Sequence, residues 1–317
     1  MTPTQLRAYA EVARQGSVGG AAETLGVTDA AVSMHIRSLR KEFGDELFHR
    51  TGSGLAFTPG GLRLASRAVE MLGLQDRTRH EVTAAARGQR VLRLATTSMF
   101  AEYCAPGLIA LFSARASDLE IELAVEPRER FTSLLAGHAV DVTIGPTPSY
   151  PDPGTERKQV LKFTLVVVAD PSHELASRRA RPADLARASW LLGPAAAERG
   201  LTRDLLEQLR VPEDRQRIFQ SHAAAAKEAR RGEGLVLALG FEVADDLKAG
   251  RLVRVTGEGT SVESTWTAMT LPPDRRSKDT MEFMHFIGTP RALQAMIHGS
   301  GTDIGRFKPS VHITLWH

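Results

Sequence analysis

Small, polar and basic residues that could contact nucleic acid recur on one side of the segment from residue 28 to residue 43. Ala30 and Ser33 are small enough to let the backbone approach base edges, and Met34 lies beside them. Arg37 and Lys41 can reach phosphates or a guanine edge. The opposite side carries an apolar stripe at intervals of four, three and four, formed by Val32, Ile36, Leu39 and Phe43. The pattern predicts a helix that packs with one side and contacts DNA with the other, although an ordinary surface helix with a basic outer side has the same pattern.

Three short helices are predicted to position this surface. Thr2 can cap the first helix, with Pro3 at its first position, and Gly16 is placed to end it. The second helix is expected to run from Ser17 to Gly26, and Thr28 can cap the third. Two helices joined by a few residues, with small residues where they cross, describe a helix-turn-helix.

A two-stranded wing and one long helix are predicted after the third helix. The segment from 51 to 57 contains glycines at which two short strands could turn, and Arg50 before it is a candidate phosphate contact. Thr58 and Pro59 open a helix that is expected to reach about Arg87, a length of roughly 45 Å. This helix has two apolar stripes, which favours pairing with a helix of a second copy.

Composition and charge favour a DNA-binding protein of the cytoplasm. The chain has 317 residues, of which 42% are apolar, and no apolar run approaches the roughly 18 residues of a membrane span. The N-terminus lacks a basic and then apolar signal segment, and the only cysteine is Cys104. Residues 1–90 carry twelve basic and nine acidic side chains, whereas the remainder carries 28 of each. The positive excess therefore lies in the first third, which suits phosphate contact there.

Enzyme motifs are not found in the sequence. The histidines have no metal-ligand spacing, and no Cys-x-x-Cys, Gly-x-Ser-x-Gly or phosphate-binding glycine loop is present. Cys104 is interpreted as a buried small residue rather than a nucleophile. We therefore predict no enzyme, no catalytic residue, no metal site and no cofactor. An enzyme fused to a DNA-binding domain and a plain small-molecule-binding protein of the periplasmic type remain the alternatives.

Alternating strands and helices fill the rest of the chain. Strands are predicted at 91–95, 119–125, 140–145, 163–169, 190–192, 217–219 and 235–239, with helices between most of them. The stretch 265–270 and a helix at 280–287 are expected to return to the first half. This order predicts two α/β halves, built on parallel strands and joined by two crossings, with a cleft at the carboxyl ends of the strands.

The N-terminal residues resemble the LysR-type transcriptional regulators over about 60 residues without a gap. The match is carried by Leu6, Tyr9, Val12, Ala13, Gly16, Ser17, Ala21, Ala22, Leu25, Ala31, Val32, Ser33, Ile36, Leu39, Gly44, Leu47, Phe48, Arg50, Thr58, Gly60 and Gly61. Residues 134–137 and 140–145 resemble the signature of the family's effector-binding domain, which is similar to periplasmic binding proteins. The resemblance implies an N-terminal all-α winged helix-turn-helix with a long linker helix. It also implies a C-terminal α/β two-lobed domain of the type 2 periplasmic-binding kind.

The recognition helix departs from the family at two places. The family usually has Ser-Gln where this chain has Thr28 and Asp29, and Leu-Glu where it has Leu39 and Arg40. Asp29 could accept from a cytosine amino group, or it could only favour the N-terminus of the helix. The predicted DNA-binding residues are Thr28, Asp29, Ala30, Ser33, Met34, Arg37, Lys41 and Arg50.

The resemblance implies that a small effector, with an anionic group as one possibility, binds between the two lobes. Thr97 and Ser98 follow the first strand of the second part, and their hydroxyl and backbone N–H groups could hold a carboxylate. Arg128 could pair with an anion, and His222 could enter from the other lobe. Gly193 and Arg199 are weaker candidates. Ser98 as a turn cap, Arg128 as a solvated charge and His222 as a structural residue are the alternatives.

The resemblance also implies a domain division and a mode of action. We expect a DNA-binding domain at 1–58, a linker helix and hinge at 59–90, an effector-binding domain at 91–300 and a tail at 301–317. Lobe I is expected at about 91–162 and 265–300, and lobe II at about 163–264. Residues 311–316 alternate like a strand, so the tail could dock on the body. A homodimer or homotetramer is expected to bind an interrupted palindrome in double-stranded promoter DNA, with no membrane contact.

Overall fold

The structure is a computed structural model that describes residues 1–51, 54–86, 88–116, 118–148 and 154–298. It divides into two compact units, one of Met1–Gly88 with Ala136–Ala139, the other of Gln89–Leu135 and the chain from Val140 onward. The tail predicted at 301–317, its strand at 311–316 and the turn of the wing at 52–53 lie outside the described residues. Within the described ranges, no helix is both long and apolar enough to cross a membrane.

The first unit begins with three helices, α1 (Pro3–Gln15), α2 (Val18–Leu25) and α3 (Asp29–Phe43). Each is capped as predicted, because the side chains of Thr2, Ser17 and Thr28 accept from a backbone N–H in the first turn. Each helix also ends at a glycine with φ between 63° and 66°, a backbone conformation that glycine adopts without strain. Local chemistry therefore sets the ends of all three helices.

A two-stranded wing and a long helix complete this unit. Strand β1 (Phe48–Thr51) pairs antiparallel with β2 (Gly54–Phe57), and helix α4 (Pro59–Ala86) has 28 residues. The core contains Tyr9, Val12, Val32, Ile36, Leu39 and Phe48 among its buried residues. The predicted stripe of α3 was wrong at Phe43, which is 48% exposed, because the helix ends beyond the reach of this core.

The second unit is built on one sheet. Its strands are β3 (Arg90–Thr96), β4 (Leu119–Val125), β5 (Val142–Pro146), β6 (Glu156–Ala169), β7 (Trp190–Leu192), β8 (Gln216–Ile218), β9 (Leu235–Leu239), β10 (Val253–Arg254) and β11 (Ser261–Thr270). The order is β4-β3-β5-β11-β6-β9-β7-β8, and β10 pairs with β6. We call the part around β4-β3-β5 lobe I and the part around β9-β7-β8 lobe II.

Helices cover both faces of this sheet. They are α5 (Ser98–Tyr103), α6 (Ala105–Ser113), α7 (Phe131–Ala136), α8 (Pro182–Arg187), α9 (Leu201–Gln208), α10 (His222–Ala229), α11 (Ala244–Lys248), α12 (Lys278–Phe286) and α13 (Pro290–His298). Residues of β6 alternate between two apolar clusters, with Val167 in one and Val168 in the other. The end of this strand is therefore a continuous buried run, as expected for a strand that is covered on both faces.

The two crossing strands differ from the prediction. Within each lobe the predicted parallel pairing is present, since β3 is parallel to β4 and β5, and β7 is parallel to β8 and β9. Strands β6 and β11 instead pair antiparallel with each other and with their lobe neighbours. Strand β6 also begins at Glu156, seven residues before the predicted start, because its first half pairs with β11 in lobe I. A register shift between Trp266 and Thr267 marks the crossing point.

Candidate functional site

The outer side of α3 presents the predicted DNA-binding residues to solvent. Ala30, Arg37 and Lys41 are exposed, Met34 is 52% exposed, and Ser33 is partly buried. Val32, Ile36 and Leu39 on the other side are fully or nearly fully buried. The helix is thus fixed to its core along one side and leaves small and basic side chains available along the other, as entry into a DNA groove requires.

The residues flanking this surface are also exposed. Thr28 accepts from the backbone N–H of Ala31 at 3.2 Å, so its hydroxyl caps the helix. Asp29 is exposed in the first turn, where a carboxylate also interacts favourably with the helix dipole. Arg50 lies exposed on β1 of the wing. All eight predicted DNA-binding residues therefore belong to the recognition helix, its cap or the wing.

Arg40 has a structural role that the sequence did not reveal. Its guanidinium donates to the backbone carbonyl of Phe48 at 2.7 Å and lies 4.8 Å from the centre of that ring. It also forms an ion pair with Glu46 at 3.1 Å. The departure from the family at this position therefore joins α3 to the base of the wing rather than adding a charge to the exposed side.

The junction between the wing and α4 requires glycine. Leu47 has a φ of 63° and is buried, and Asp45 accepts from its backbone N–H at 2.6 Å and from the Thr58 hydroxyl at 2.7 Å. These hydrogen bonds lower the pKa of Asp45. A Cβ at Gly61 would overlap the carbonyl oxygen of Leu47, and one at Gly60 would overlap the Asp45 carboxylate. The two glycines let the start of α4 lie directly on this turn.

Helix α4 carries large apolar side chains that the first unit leaves exposed. They are Leu62 at 60%, Val69 at 43%, Met71 at 37%, Leu74 at 51% and Val82 at 64% exposure. Only Gly61 and Ala68 of this helix are buried, and Leu64 and Ala65 are partly buried against the core. The N-terminal part of α4 thus packs on its own unit, while most of its apolar surface remains available.

A cleft of the second unit lies where the strands of the two lobes end. Thr97 follows β3, Arg128 follows β4 and Pro146 ends β5, while Glu198 and Arg199 come from the segment between β7 and α9. The cleft is partly open to solvent and has a volume of about 40 Å³ in this arrangement of the lobes, which is small beside the usual range for small-molecule sites. Of the predicted effector-binding residues, Thr97, Arg128 and Arg199 line it.

Ser98, Gly193 and His222 meet beside the cleft. The Ser98 hydroxyl lies 3.3 Å from Nε2 of His222, and both side chains are buried. A Cβ at Gly193 would overlap the imidazole of His222, so this glycine makes room for the ring. Burial lowers the pKa of His222, and the charge of Glu102 opposes this effect. The imidazole is therefore neutral at pH 7.

Glu102 connects α5 of lobe I to the start of α10 in lobe II. Its two carboxylate oxygens accept from the backbone N–H groups of His222 at 2.8 Å and Ala223 at 2.7 Å. These N–H groups belong to the first turn of α10 and have no partner within the helix. Glu102 thus joins the lobes next to the contact between Ser98 and His222.

Glu198 is a charged residue of the cleft that sequence reasoning missed. It is partly buried, and burial raises its pKa, while hydrogen bonds from the Ser98 hydroxyl and backbone N–H lower it. The charge of Glu129 adds to the increase. Glu198 lies among alanines and a proline, where no periodic pattern draws attention to it.

The apolar wall of the cleft was also missed. Phe163 and Trp266 line the cleft and stack with ring centres 4.0 Å apart, and Phe100 meets Trp266 edge-on at 5.1 Å. Because these residues lie on β6, β11 and α5, their proximity depends on pairing across the whole sheet. Trp266 also marks the crossing point between the lobes.

Cys104 has the environment of a structural residue. It is fully buried between α5 and α6, and burial raises the pKa of its thiol. A nucleophilic cysteine needs an accessible group with a lowered pKa. The side chain therefore fills space in the core of the second unit.

Two family models match the chain. The one described as bacterial regulatory helix-turn-helix protein, lysR family, matches residues 3–62. The one described as LysR substrate binding domain matches residues 85–289. The first match covers α1 to the start of α4, and the second covers both lobes up to the end of α12.

Relatives match over most of their length. The HTH-type transcriptional regulator Rv0377 of Mycobacterium tuberculosis is 53% identical over 100% of both chains. The RuBisCO operon transcriptional regulator of Allochromatium vinosum is 31% identical over 89% of this chain and 94% of its own.

Solved structures have the same fold. ArgP from Mycobacterium tuberculosis matches with a TM-score of 0.58 and 20% identity, over 93% of this chain and 98% of that one. Full-length LysG from Corynebacterium glutamicum with bound effector Arg matches with a TM-score of 0.54 and 21% identity, over 92% and 98%. Family models, relatives and architecture agree with the geometry of α3 and the cleft: the chain belongs to the LysR family of bacterial DNA-binding transcriptional regulators with an effector-binding domain.

Proposed function

We propose that this regulator binds an interrupted palindrome in promoter DNA as a homodimer or homotetramer. In this proposal, a small effector with an anionic group changes the closure of the two lobes. The observation that carries it is the exposed side of α3, with small residues flanked by basic ones above a buried apolar stripe. Because its target is chromosomal, we place the protein in the cytoplasm, away from membranes.

The proposed DNA contacts divide into two kinds. Ala30, Ser33 and Met34 approach base edges in the major groove, and Asp29 can accept from a cytosine amino group. Phosphates or a guanine edge are contacted by the remaining residues, which are Thr28 at the cap, Arg37 and Lys41 on the helix, and Arg50 on the wing. Their exposure on one short helix, its cap and the adjoining strand supports this assignment.

Self-association is proposed through α4. Its exposed apolar side chains extend from Leu62 to Val82 along a helix of 28 residues, roughly 42 Å long. A monomer rarely leaves so many large apolar groups of one helix in water, and pairing with a second copy removes them from solvent. Two copies related by a two-fold axis also suit a palindromic site.

The effector is proposed to bind in the cleft, where Thr97, Arg128 and Arg199 line the wall. Ser98, His222 and Gly193 border it and connect the lobes. An effector that favours one degree of closure shifts the population of lobe arrangements, and the bound DNA then changes in spacing or bend. The difference between the effector's affinities for the two lobe arrangements sets how far the population shifts.

A gel-shift experiment on the DNA upstream of the protein's own gene tests the DNA-binding proposal. We expect the wild-type protein to shift this DNA at low salt, and Arg37→Ala combined with Ser33→Ala to lose the shift. Arg178→Ala is a matched control, because Arg178 is exposed on the second unit and pairs with Asp184. Full binding by the double variant, or no binding by wild type, contradicts the proposal.

Ligand-induced thermal shifts test the cleft. A metabolite that raises the melting temperature of wild type is expected to lose its effect in Thr97→Ala and Arg128→Gln. Unchanged shifts in both variants, and in Ser98→Ala, place the effector elsewhere. The same preparations are used for DNA binding, so that a folding defect is recognised independently.

A further inference from the structure

The cleft contains unpaired charges of both signs. Within the described part of the chain, Arg128, Glu198 and Arg199 line the cleft without an ion pair to any other side chain. Two other charged groups nearby are paired, Glu126 with Arg130 at 2.7 Å and Arg203 with Glu207 at 2.9 Å, whereas Glu129 has no ion pair among the described residues. Arg128 and Glu198 are partly buried and Arg199 is exposed, and a partly buried charge is stabilised when a ligand of opposite charge pairs with it. The charges of the cleft therefore favour a ligand that carries both a negative and a positive group.

Glu198 already occupies the place beside Ser98 that an anionic group would take. Ser98 lies close to the Glu198 carboxylate, since hydrogen bonding from its hydroxyl and its backbone N–H lowers the pKa of Glu198 against the effect of burial. A ligand carboxylate at Ser98 would meet this like charge in a partly buried site. The groups that remain to bind the anionic end of a ligand are the Arg128 guanidinium and the Thr97 hydroxyl. This hydroxyl does not cap α5. The Glu198 carboxylate is left as the acceptor for a cationic end.

The remaining wall is apolar. Met99, Phe163, Leu165 and Trp266 line the cleft together with the charged residues. The stack of Phe163 on Trp266 forms a rigid surface at the crossing of β6 and β11. Apolar lining with a few convergent polar groups is the arrangement that binds a compact ligand with an apolar body.

We propose that the cleft binds a zwitterion of the α-amino acid class with an apolar side chain. Its carboxylate pairs with Arg128 and Thr97, its ammonium pairs with Glu198, and its side chain lies against the wall of Phe163 and Trp266. This assignment rests on the proposed function of the cleft as the effector site and makes Glu198 its specificity-determining residue. An arginine–carboxylate pair can be bidentate, which fixes the orientation of the ligand.

Calorimetric titration of the full-length protein with the twenty common L-amino acids is the first test. We expect at least one apolar amino acid to bind. If L-leucine is the amino acid that binds, two matched probes are available. 4-Methyl-2-oxopentanoate lacks the ammonium group, and 3-methylbutylamine lacks the carboxylate. The amino acid is expected to bind at least tenfold more tightly than either probe. An equal or tighter affinity for the oxo acid overturns the zwitterion while leaving the cleft as the effector site.

Substitution of Glu198 tests the specificity-determining residue. Glu198→Gln is expected to reduce the preference for the amino acid over the oxo acid at least tenfold, and Arg128→Gln to reduce the preference over the amine. Glu258→Gln is the matched control, since it removes the same charge from an exposed residue of the second unit that lines neither the cleft nor the surface beside Glu198. The control is expected to keep both preferences within threefold. An unchanged preference in Glu198→Gln overturns the proposal.

The two proposals can fail separately. If no amino acid binds while the gel shift with upstream DNA succeeds, the ligand class is overturned and the DNA-binding function stands. If the amino acid binds with the expected selectivity but the DNA is not shifted, the ligand class stands and the proposed DNA-binding function is overturned.

Discussion

The hydroxyl of Ser98 lies 3.3 Å from Nε2 of His222, although the two residues are 124 positions apart in the chain. Ser98 begins α5 in lobe I, and His222 begins α10 in lobe II. Glu102 on α5 accepts from the backbone N–H of His222 one turn further along. The two contacts therefore join the same pair of helices, one from each lobe, beside the cleft.

Protonation of His222 is expected to destabilise the second unit. Burial lowers its pKa in the folded protein below the ordinary value of 6.5. The unfolded chain therefore binds the proton at a higher pH than the folded chain, and stability falls as the pH is lowered from about 7 through 6.5 and below. Glu198 changes stability with pH in the opposite direction. Because its pKa is raised in the folded protein, the folded chain binds the proton at a higher pH than the unfolded chain, and acidification adds stability.

The measurement is thermal unfolding of wild type and His222→Gln between pH 5 and pH 7.5. The melting temperature of wild type is expected to fall more steeply with acidification than that of the variant. His173→Gln is a matched control, because His173 is partly exposed in a loop and accepts from the backbone N–H of Leu175. Parallel curves for wild type and His222→Gln contradict the assignment of a buried neutral imidazole.

Loss of the Glu102 carboxylate is expected to destabilise the second unit. Glu102→Ala leaves two backbone N–H groups at the start of α10 without their acceptors, at a cost of about 1.5–3 kcal/mol for hydrogen bonds to a charged group. Glu102→Gln keeps one acceptor oxygen and is expected to lose about half as much. The free energy of unfolding in urea measures both variants.

Glu228→Gln is the control for this comparison. It removes a carboxylate from α10 itself, where Glu228 pairs with the exposed Arg231 at 2.9 Å. A pair of this kind contributes about 0–1 kcal/mol. If Glu102→Gln and Glu228→Gln lose the same free energy of unfolding, the contact of Glu102 between the lobes stabilises the protein no more than an exposed ion pair does.

A methyl group at Gly61 is expected to displace the start of α4. The Cβ of Gly61→Ala would overlap the Leu47 carbonyl oxygen, which belongs to a turn held by Asp45. Overpacking of this kind costs about 1–3 kcal/mol. Ser66→Ala on the exposed side of α4 is the control and is expected to stay within about 0.5 kcal/mol of wild type. A Gly61→Ala protein as stable as the control would show that the turn adjusts at no cost.

Arg40 is expected to matter for stability and not for the choice of DNA sequence. Arg40→Ala removes the hydrogen bond to the Phe48 carbonyl and the cation–π contact with its ring, and about 1–3 kcal/mol is the expected loss. Selection of binding sites from random DNA is expected to return the same sequence for Arg40→Ala as for wild type. A changed sequence would assign Arg40 to DNA reading after all.

The first unit could be predicted from the sequence in detail because its signals are local. Thr2, Ser17 and Thr28 cap their helices, and the first two helices end at the glycines that were predicted to end them, Gly16 and Gly26. The prediction was wrong at Phe43, because periodicity does not say where the underlying core stops.

The second unit could be predicted only in part because its remaining features depend on distant pairing. Within the lobes, β4, β7 and β9 have the predicted bounds. The antiparallel crossing and the early start of β6 depend on β11, about 100 residues away. Glu102 was missed because its partners are backbone N–H groups of α10, and these carry no signal in the sequence.

Lys41 is expected to act through charge alone, in contrast to residues that read bases. It is exposed in the last turn of α3, on the side of Arg37. If it contacts a phosphate, Lys41→Gln weakens binding about equally for specific and unrelated DNA. The slope of log K against log salt concentration then decreases by about 0.9 for each phosphate that the variant no longer neutralises.

Binding measured at several salt concentrations distinguishes this role from base reading. Ser33→Ala is the comparison, because removal of a hydroxyl from a base edge lowers affinity for specific DNA and leaves the slope unchanged. The exposed Lys248, which pairs with Asp245 on the second unit, provides the matched charge control Lys248→Gln. An unchanged slope in Lys41→Gln, with weaker binding confined to specific DNA, would assign Lys41 to a base edge instead of a phosphate.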